Sequence, residues 1–369
     1  MKKNILFVSH DANRAGAQIF LYNMMSFLQD KGYGVTLLLV HEWGSFKGEL
    51  ESKFKTYSLQ EKPIRRWERM FHTPVLDEIK KKEKVDLIYI NTIASVHVIP
   101  ELKKFWNVPV ISHIHELSYS IAQYGVPNAE EILFEYSDKV VACSRAVAEN
   151  LLSTRKSDKV EIIHSFVQNE KILEIHSQGK REEVLKSFDL DPQFTWVCAC
   201  GNADWRKAPD IFLQIASKVR NENIKFAWIG ISENDPLMGQ LAYDAKKLNI
   251  AHKVKWITPT PRAVELINAM DVFLLSSRED PFPLVMLEAA LCKKPIFTFK
   301  NTGGGDEFVE EDAGVRIEYL QVEAMANAID NCTPENLAAM GKKAQEKVLA
   351  HYSFDTSMKK MEKLMELFF

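Results

Sequence analysis

Short apolar runs of strand length recur along this chain, separated by stretches long enough for a helix. "NILFVS", "GVTLLLV", "VDLIYIN", "VPVISHIH", "KVVACS" and "VEIIHSF" make a first series, and "AQIFLYNMMSFLQDKG", between the first two, has helical spacing closed by Gly32. Strands buried on both faces read as continuous apolar runs, and parallel neighbours need a crossover helix, so the series predicts a parallel α/β sheet. From about residue 168 to 194 the rhythm lapses into the polar "QNEKILEIHSQGKREEVLKSFDLDPQF", which ends in a proline-marked turn. A second series follows: "TWVCACGN", "IKFAWIG", "HKVKWIT", "VFLLSS", "KPIFTFK" and "AGVRIEY". Two α/β domains are therefore expected, 1–168 and 169–354, with the cleft between them as the default site, since open α/β sheets bind ligands at the carboxyl ends of their strands. No internal repeat interrupts this plan.

A chain of 369 residues suits two such domains, and 46% apolar with 26% charged residues is a globular balance. A net charge of -3 excludes a global field for nucleic acid, so any affinity for phosphate must be local. The five cysteines are scattered, with no CxxC pair, which fits a reduced compartment. The N-terminus lacks a signal-peptide pattern, and no run approaches the roughly 18 apolar residues of a membrane helix. A cytoplasmic protein is expected.

The stretch "SSREDPFPLVMLEAALCKKP" places Asp280 in a loop after a strand and Glu288 one to two turns into a helix that starts near Pro283. Free amides at a helix start favour phosphate, and carboxylates accept paired hydrogen bonds from the vicinal hydroxyls of a ribose or hexose. An aspartate near a helix start followed by a solvated glutamate would look the same.

"SSREDPFPLVMLEAALCKKPIF" resembles the E-x7-E signature of retaining glycosyltransferase family 4, whose GT-B fold sets two facing Rossmann-like domains around an interdomain cleft. Asp280 stands in the first acidic position and Glu288 in the second; Pro281 and Pro283 replace the usual glycines. The resemblance implies that Asp280 contacts donor-sugar hydroxyls and Glu288 the ribose, with Phe282 and Leu284 also lining the donor. "CACGNADWRKAPDIFLQIA" is similar to the family's G-R-x4-K-G loop, with Lys207 matching the lysine that neutralises the diphosphate. Asn202 replaces the expected arginine, and Arg206 is the candidate substitute; a surface lysine is the plainer reading of Lys207. "SHDANRAGAQIFLYNMM" resembles the glycine-containing loop where Gly16 and Ala17 let the backbone approach the diphosphate and the acceptor, although Gly16 would also serve as a simple helix start. "FKNTGGGDEFVEEDAG" resembles the donor-side T-G-G-x-x-E loop, with Gly303, Gly304 and Gly305 free to expose successive amides and Glu307 near its acid; the alternative is a flexible surface turn.

His113 and His115 share a strand face and could hold a metal, but no further ligand cluster is evident. The resemblance aligns His115 with an active-site histidine near the donor sugar. The Asp189 and Asp191 pair precedes Pro192 in the polar linker and reads as a turn, so no metal requirement is expected. "EKPIRRWERMF" interleaves Arg65, Arg66 and Arg69 with Trp67, a pattern suited to anionic headgroups or a lipid-linked acceptor and also to an ordinary charged helix face.

The resemblance implies a retaining, metal-independent glycosyltransferase of the hexosyltransferase type. It would have no cofactor, a nucleotide diphosphate sugar (UDP or GDP) as donor, and a glycan or lipid-linked acceptor in cell-surface polysaccharide biosynthesis. The C-terminal helix, 355–369, is expected to pack back on the first domain. A non-catalytic nucleotide-sugar-binding or scaffold subunit, or another GT-B enzyme such as a sugar-nucleotide epimerase, stands as the alternative.

Overall fold

The computed structural model describes residues 3–59 and 74–369. The basic-aromatic segment with Arg65, Arg66, Trp67 and Arg69 lies outside the described residues. The chain divides into two compact units, Met1–His164 with Ser357–Phe369, and Ser165–Thr356.

The N-terminal unit is built on a seven-stranded sheet, β1 (Asn4–Ser9), β2 (Gly34–Leu39), β3 (Lys55–Ser58), β4 (Leu87–Asn91), β5 (Val110–Ile114), β6 (Lys139–Ala142) and β7 (Val160–Ile162). Its order is β3-β2-β1-β4-β5-β6-β7, with every pair parallel and Phe7 registered between Leu37 and Tyr89. The apolar runs are the buried strands: Leu6, Phe7, Val8, Leu38, Ile88 and Ile90 are inaccessible to solvent. The helix Gly16–Asp30 follows β1 and ends where Gly32 takes φ of 90°. The final helix, Phe354–Glu366, joins this unit from Ser357 onward: the Ser357 hydroxyl donates to the His164 carbonyl at 3.0 Å, and Lys3 donates to the Phe369 carbonyl at 2.9 Å.

The C-terminal unit has a six-stranded parallel sheet, β8 (Thr195–Cys200), β9 (Ile224–Ile229), β10 (Val254–Ile257), β11 (Val272–Leu275), β12 (Ile296–Phe299) and β13 (Gly314–Ile317), ordered β10-β9-β8-β11-β12-β13. Phe212 from the helix Pro209–Lys218 meets Phe226 and Trp228 edge-on, at 5.5 and 5.3 Å between ring centroids, at the centre of one face. The polar stretch read as a lapse is two helices, Asn169–Ser177 and Arg181–Ser187, which bury Ile172, Val184 and Leu185. After them Asp189 takes a left-handed φ of 56° and Asp191 accepts the Gln193 amide at 2.9 Å, so the acidic pair lies in a turn.

Both sheets reverse their winding direction once, between β1 and β4 and between β8 and β11. At such a switch point the loops leaving the two central strands diverge and open a crevice outside their carboxyl ends. The loops after β8 and β11 carry Lys207 and Asp280; those after β1 and β4 carry His10, Asp11 and Thr92.

Candidate active site

In the C-terminal unit the two switch-point loops close on one carboxylate. Lys207 Nζ donates to Asp280 Oδ2 at 2.5 Å, Arg206 Nη1 lies 3.5 Å from Asp280 Oδ1, and the Ser277 hydroxyl donates to Asp280 Oδ2 at 3.3 Å. Asp280 is 6% exposed, and the Lys207 side chain 15%. The surface-lysine reading of Lys207 is thereby excluded. Arg206 also lies 3.8 Å from Asp204 and donates to the Glu279 carbonyl at 3.2 Å, so two cations and two carboxylates interlock here, with the charge-assisted Lys207–Asp280 hydrogen bond at the centre. Arg206, not Asn202, supplies the guanidinium here; Asn202 is exposed.

Asp280 is followed by the helix Leu284–Leu291, entered through Pro283 in extended conformation. Pro283 has no amide to donate. Met286 N turns back to the Pro283 carbonyl at 3.1 Å, and among the described residues the amides of Leu284 and Val285 meet no acceptor. They are the orphan donors of a helix start, with the positive end of the peptide dipoles behind them. Glu288 is the one charged or polar residue of "LVMLEAAL". It is half-buried, not solvated, and burial pushes its carboxyl from an ordinary 4.5 up to about 7. Among the described residues no hydrogen bond or ion pair engages that carboxyl. Cys200, at the end of β8, has Glu288 and Lys207 as charged neighbours; burial first, and the Glu288 charge next, push its thiol up to about 12.

In the glycine loop, among the described residues, the Gly303 and Gly305 amides meet no acceptor while the Gly304 amide does. Gly303, Gly304 and Gly305 are buried, which removes the surface-turn reading. The Gly304 amide is already committed to the Asp280 and Pro281 carbonyls, at 3.1 and 2.9 Å. Together with the Asp280 amide, which donates to the Thr302 carbonyl at 2.7 Å, this stitches the glycine loop to the acidic loop. The glycines serve close packing: a Cβ on Gly304 would fall 2.3 Å from Phe282 Cδ2 and 2.6 Å from the Pro281 carbonyl oxygen. Phe282 is itself buried, its ring 5.4 Å from that of Tyr352, so it supports the loop; Leu284 is half-buried at the helix start and Glu307 half-buried in the helix Gly304–Val309.

Arg278 was not singled out by the sequence. Its guanidinium grips Asp210 with two hydrogen bonds, at 3.0 and 2.6 Å, donates to the Trp205 carbonyl at 2.8 Å and lies 5.1 Å from the Trp205 ring. The Arg278 amide also donates to the Arg206 carbonyl at 2.8 Å. This fork fixes the Arg206 and Lys207 loop against the Asp280 loop, and a lysine cannot reproduce its planar geometry. Arg278→Lys is expected to accelerate amide hydrogen exchange across residues 201–208 about tenfold in the ligand-free protein; unchanged exchange would show that the loop holds itself.

The N-terminal unit gathers a second polar group set. His113 and His115 stand ring to ring at 4.0 Å. His113 Nδ1 lies 2.6 Å from the Tyr89 hydroxyl, and its Nε2 is buried with no hydrogen-bond partner. His115 Nε2 lies 3.1 Å from Asn91 Oδ1, and Asn91 in turn donates to the Ala17 carbonyl at 3.2 Å. Burial drives the His115 pKa down to about 3, with His10 adding to the effect, so the imidazole is neutral at physiological pH. Burial pushes the Glu116 carboxyl up to about 7, against the lowering effect of the Ile93 and His115 amides it accepts at 3.0 Å each. Each ring thus has one nitrogen in a hydrogen bond, His113 Nδ1 with Tyr89 and His115 Nε2 with Asn91. Gly16 and Ala17 begin the helix after β1, and among the described residues their amides meet no acceptor. The loop before them is built around Asp11, which accepts from the Asn13 amide at 3.1 Å, the Asn13 side chain at 2.6 Å and Gln18 at 2.6 Å. Beside it Thr92 is held at φ 74°, a strained setting for a β-branched residue.

Comparison with known proteins identifies both halves of the chain. Residues 14–171 match the family described as Glycosyltransferase Family 4, and residues 180–347 that described as Glycosyl transferases group 1. D-inositol 3-phosphate glycosyltransferase of Mycobacterium marinum is 25% identical over 251 residues, covering 64% of this chain and 53% of the relative. The chain thus spans about half the length of the curated relatives it matches. HepE of Anabaena, solved in complex with UDP and glucose, superposes with a TM-score of 0.83 at 18% identity over 99% of each chain. Sucrose-phosphate synthase from Thermosynechococcus elongatus does so at 0.79 and 20%, again over 99% of each. No helix among the described residues is long and apolar enough to cross a membrane. With both halves matched and the architecture shared from end to end, this chain belongs to the family 4 glycosyltransferases and has the GT-B fold.

Proposed function

We propose that this chain is a retaining, metal-independent glycosyltransferase that moves a sugar from a nucleotide diphosphate sugar, carrying UDP or GDP, to a glycan or lipid-linked acceptor. The observation that carries the reading is Lys207 and Arg206 set on Asp280, with the unengaged Leu284 and Val285 amides at the start of the helix that follows and the unengaged Glu288 carboxyl farther along it. Cations and amides of this kind suit a diphosphate, and they offset the charge that grows on it as the glycosidic bond breaks. Asp280 then accepts hydroxyls of the sugar, and Glu288 those of the ribose. In the N-terminal unit Gly16 and Ala17 leave the backbone open to a substrate, and neutral His115 offers hydrogen bonds to sugar hydroxyls without adding charge. Support for the donor class comes from the solved neighbours whose complexes contain UDP, with glucose or as UDP-glucose. Placement in the cytoplasm, in cell-surface polysaccharide assembly at the membrane's inner face, goes with this reading; the five unbridged cysteines support a reducing compartment.

A thermal-shift screen with UDP, GDP, ADP and their sugars, without metal, tests the donor site. One nucleotide is expected to stabilise the wild type by a few kcal/mol at about a hundredfold excess over its Kd, and Glu288→Ala and Lys207→Ala to abolish the shift. No shift with any nucleotide would sink the reading. Binding should also strengthen as pH rises from 6 to 8, because the ionised Glu288 carboxylate is the better acceptor and its pKa is about 7. In Glu288→Gln that dependence should flatten. The raised pKa acts oppositely on the free chain: the folded state keeps a proton that the unfolded state releases, so the Glu288 contribution to stability falls as pH rises from about 4.5 to about 7.

A further inference from the structure

Asn91 ends β4, and in the sheet register it stands opposite His113 of β5, two residues before His115. Its side chain is inaccessible to solvent; Nδ2 donates to the Ala17 carbonyl at 3.2 Å, and Oδ1 lies 3.1 Å from His115 Nε2. The first contact decides the second. A backbone carbonyl only accepts, so the amide nitrogen has to face Ala17, and turning the amide over would set two oxygens against each other. Oδ1 therefore faces the imidazole, and because that oxygen also only accepts, Nε2 is the nitrogen that carries the hydrogen. Burial keeps the His115 ring neutral, which leaves it a single N–H and makes Nδ1 a bare lone pair.

The neighbouring His113 has no such assignment. Its Nδ1 meets the Tyr89 hydroxyl, which can donate or accept, so neither tautomer is imposed by that contact. Around Asn91 and His115 the backbone is fixed on both sides. The Asn91 carbonyl accepts the Ser95 hydroxyl at 2.8 Å, the Thr92 amide donates to the His113 carbonyl at 2.8 Å, and one Glu116 oxygen takes the Ile93 and His115 amides. Neither side chain can swing away without loosening the two strand ends. His115 is itself partly accessible, and among the described residues its Nδ1 has no hydrogen-bond partner.

We propose that Asn91 is a positioning residue that holds His115 as the Nε2–H tautomer, so that Nδ1 can only accept and the substrate group it takes is one that donates, a sugar hydroxyl. The inference rests on the glycosyltransferase reading above and fixes the direction of one of its hydrogen bonds. A carbonyl or an ionised phosphate oxygen has no hydrogen to give and is turned away at this position. The test is a long-range proton–nitrogen NMR spectrum of the ligand-free full chain, deuterated and carrying nitrogen-labelled histidine, with His115→Gln to assign the resonance. The wild type is expected to show His115 as one tautomer with its hydrogen on Nε2, unchanged across neutral pH. Asn91→Asp, which keeps an acceptor, should retain that hydrogen, and Asn91→Leu, of similar size without one, should let the two tautomers mix. The other histidines report whether each variant folds, and the wild-type and Asn91→Asp spectra decide the matter if Asn91→Leu does not. Calorimetry with UDP-glucose and GDP-glucose, against UDP and GDP, carries the consequence to the substrate. Asn91→Leu is expected to weaken binding of the sugar nucleotide by about tenfold, the worth of one neutral hydrogen bond, and to leave that of the free nucleotide unchanged. The inference is overturned by a wild type with the hydrogen on Nδ1, by an Asn91→Leu spectrum identical to that of the wild type, or by mixed tautomers with unchanged sugar-nucleotide affinity. If the wild type binds no nucleotide, the donor reading falls, while the spectra still decide what Asn91 does to His115.

Discussion

Lys207→Met is expected to lower the rate of sugar transfer by two to three orders of magnitude. Removing one preorganised donor from a site where negative charge develops costs about 2.7 to 4 kcal/mol in the barrier, which is that range of rate. Lys207 meets the condition of preorganisation: Asp280 holds its ammonium at 2.5 Å, and the Asp204 side chain accepts its amide at 2.7 Å. Its two remaining protons can turn to a diphosphate while the Asp280 bond persists. The replacement also strips Asp280, which is 6% exposed, of its nearest cation. Arg206 and Ser277 stay within 3.5 Å, so the stability loss should fall below the 3 to 5 kcal/mol typical of a broken buried pair. Lys207→Arg should be intermediate, because it keeps the charge and changes the geometry. The decisive measurement is kcat and KM with the nucleotide sugar that the thermal screen identifies. A wild-type kcat in Lys207→Met would move the charge-offsetting role to another group.

Most strands were legible because parallel strands buried on both faces need continuous apolar runs, as in "NILFVS" and "VFLLSS". The strand Lys55–Ser58 was not: it lies at the sheet edge with no fully buried residue, so "KTYS" carries no run to see. The helices Asn169–Ser177 and Arg181–Ser187 escaped for a related reason, since one or two buried side chains apiece leave little periodicity. In the site, Lys207, Arg206, Asp280 and Glu288 were singled out through the resemblance to family motifs, since from its place alone Lys207 read as a surface lysine and the two acids as an ordinary helix start. Arg278 was not, because its meaning lies in a fork to Asp210, which stands 68 residues away in the chain. Asp11, Asn91 and Glu116 are likewise ordinary polar residues until folding buries them beside His10 and His115. Cys200 was read only as a sign of compartment, yet it has Glu288 and Lys207 for neighbours. The glycine run was read for backbone freedom alone, while at Gly304 tertiary packing also uses the missing Cβ atom.

That last contrast sets the second large effect, Gly304→Ala. Its new Cβ would lie 2.3 Å from Phe282 Cδ2, 2.6 Å from the Pro281 carbonyl oxygen and 3.0 Å from Phe282 Cα. Two of those three atoms are backbone, so the strain cannot be relieved by a rotamer change, and Phe282 is boxed in against Tyr352. Overpacking of this kind costs about 1 to 3 kcal/mol and more where backbone must move. In a domain of this size about 2 kcal/mol corresponds to a fall of roughly 4 to 8 °C in Tm. Gly239→Ala provides the control with the opposite sign: it lies in the helix Met238–Lys247 with nothing within 4 Å of its Cβ position, so alanine's helix propensity should raise stability by up to about 1 kcal/mol. The Gly304 variant should also lose affinity for the nucleotide without any change in a charged residue. The backbone that must yield is the Pro281–Phe282 segment, whose hydrogen bonds from the Gly304 amide hold Asp280 against Lys207. Calorimetry on the two alanine variants, with and without nucleotide, separates the outcomes. A lower Tm with normal affinity would confine the glycine to packing, and a lower Tm with weakened binding would show that this packing sets the position of the Asp280 carboxylate.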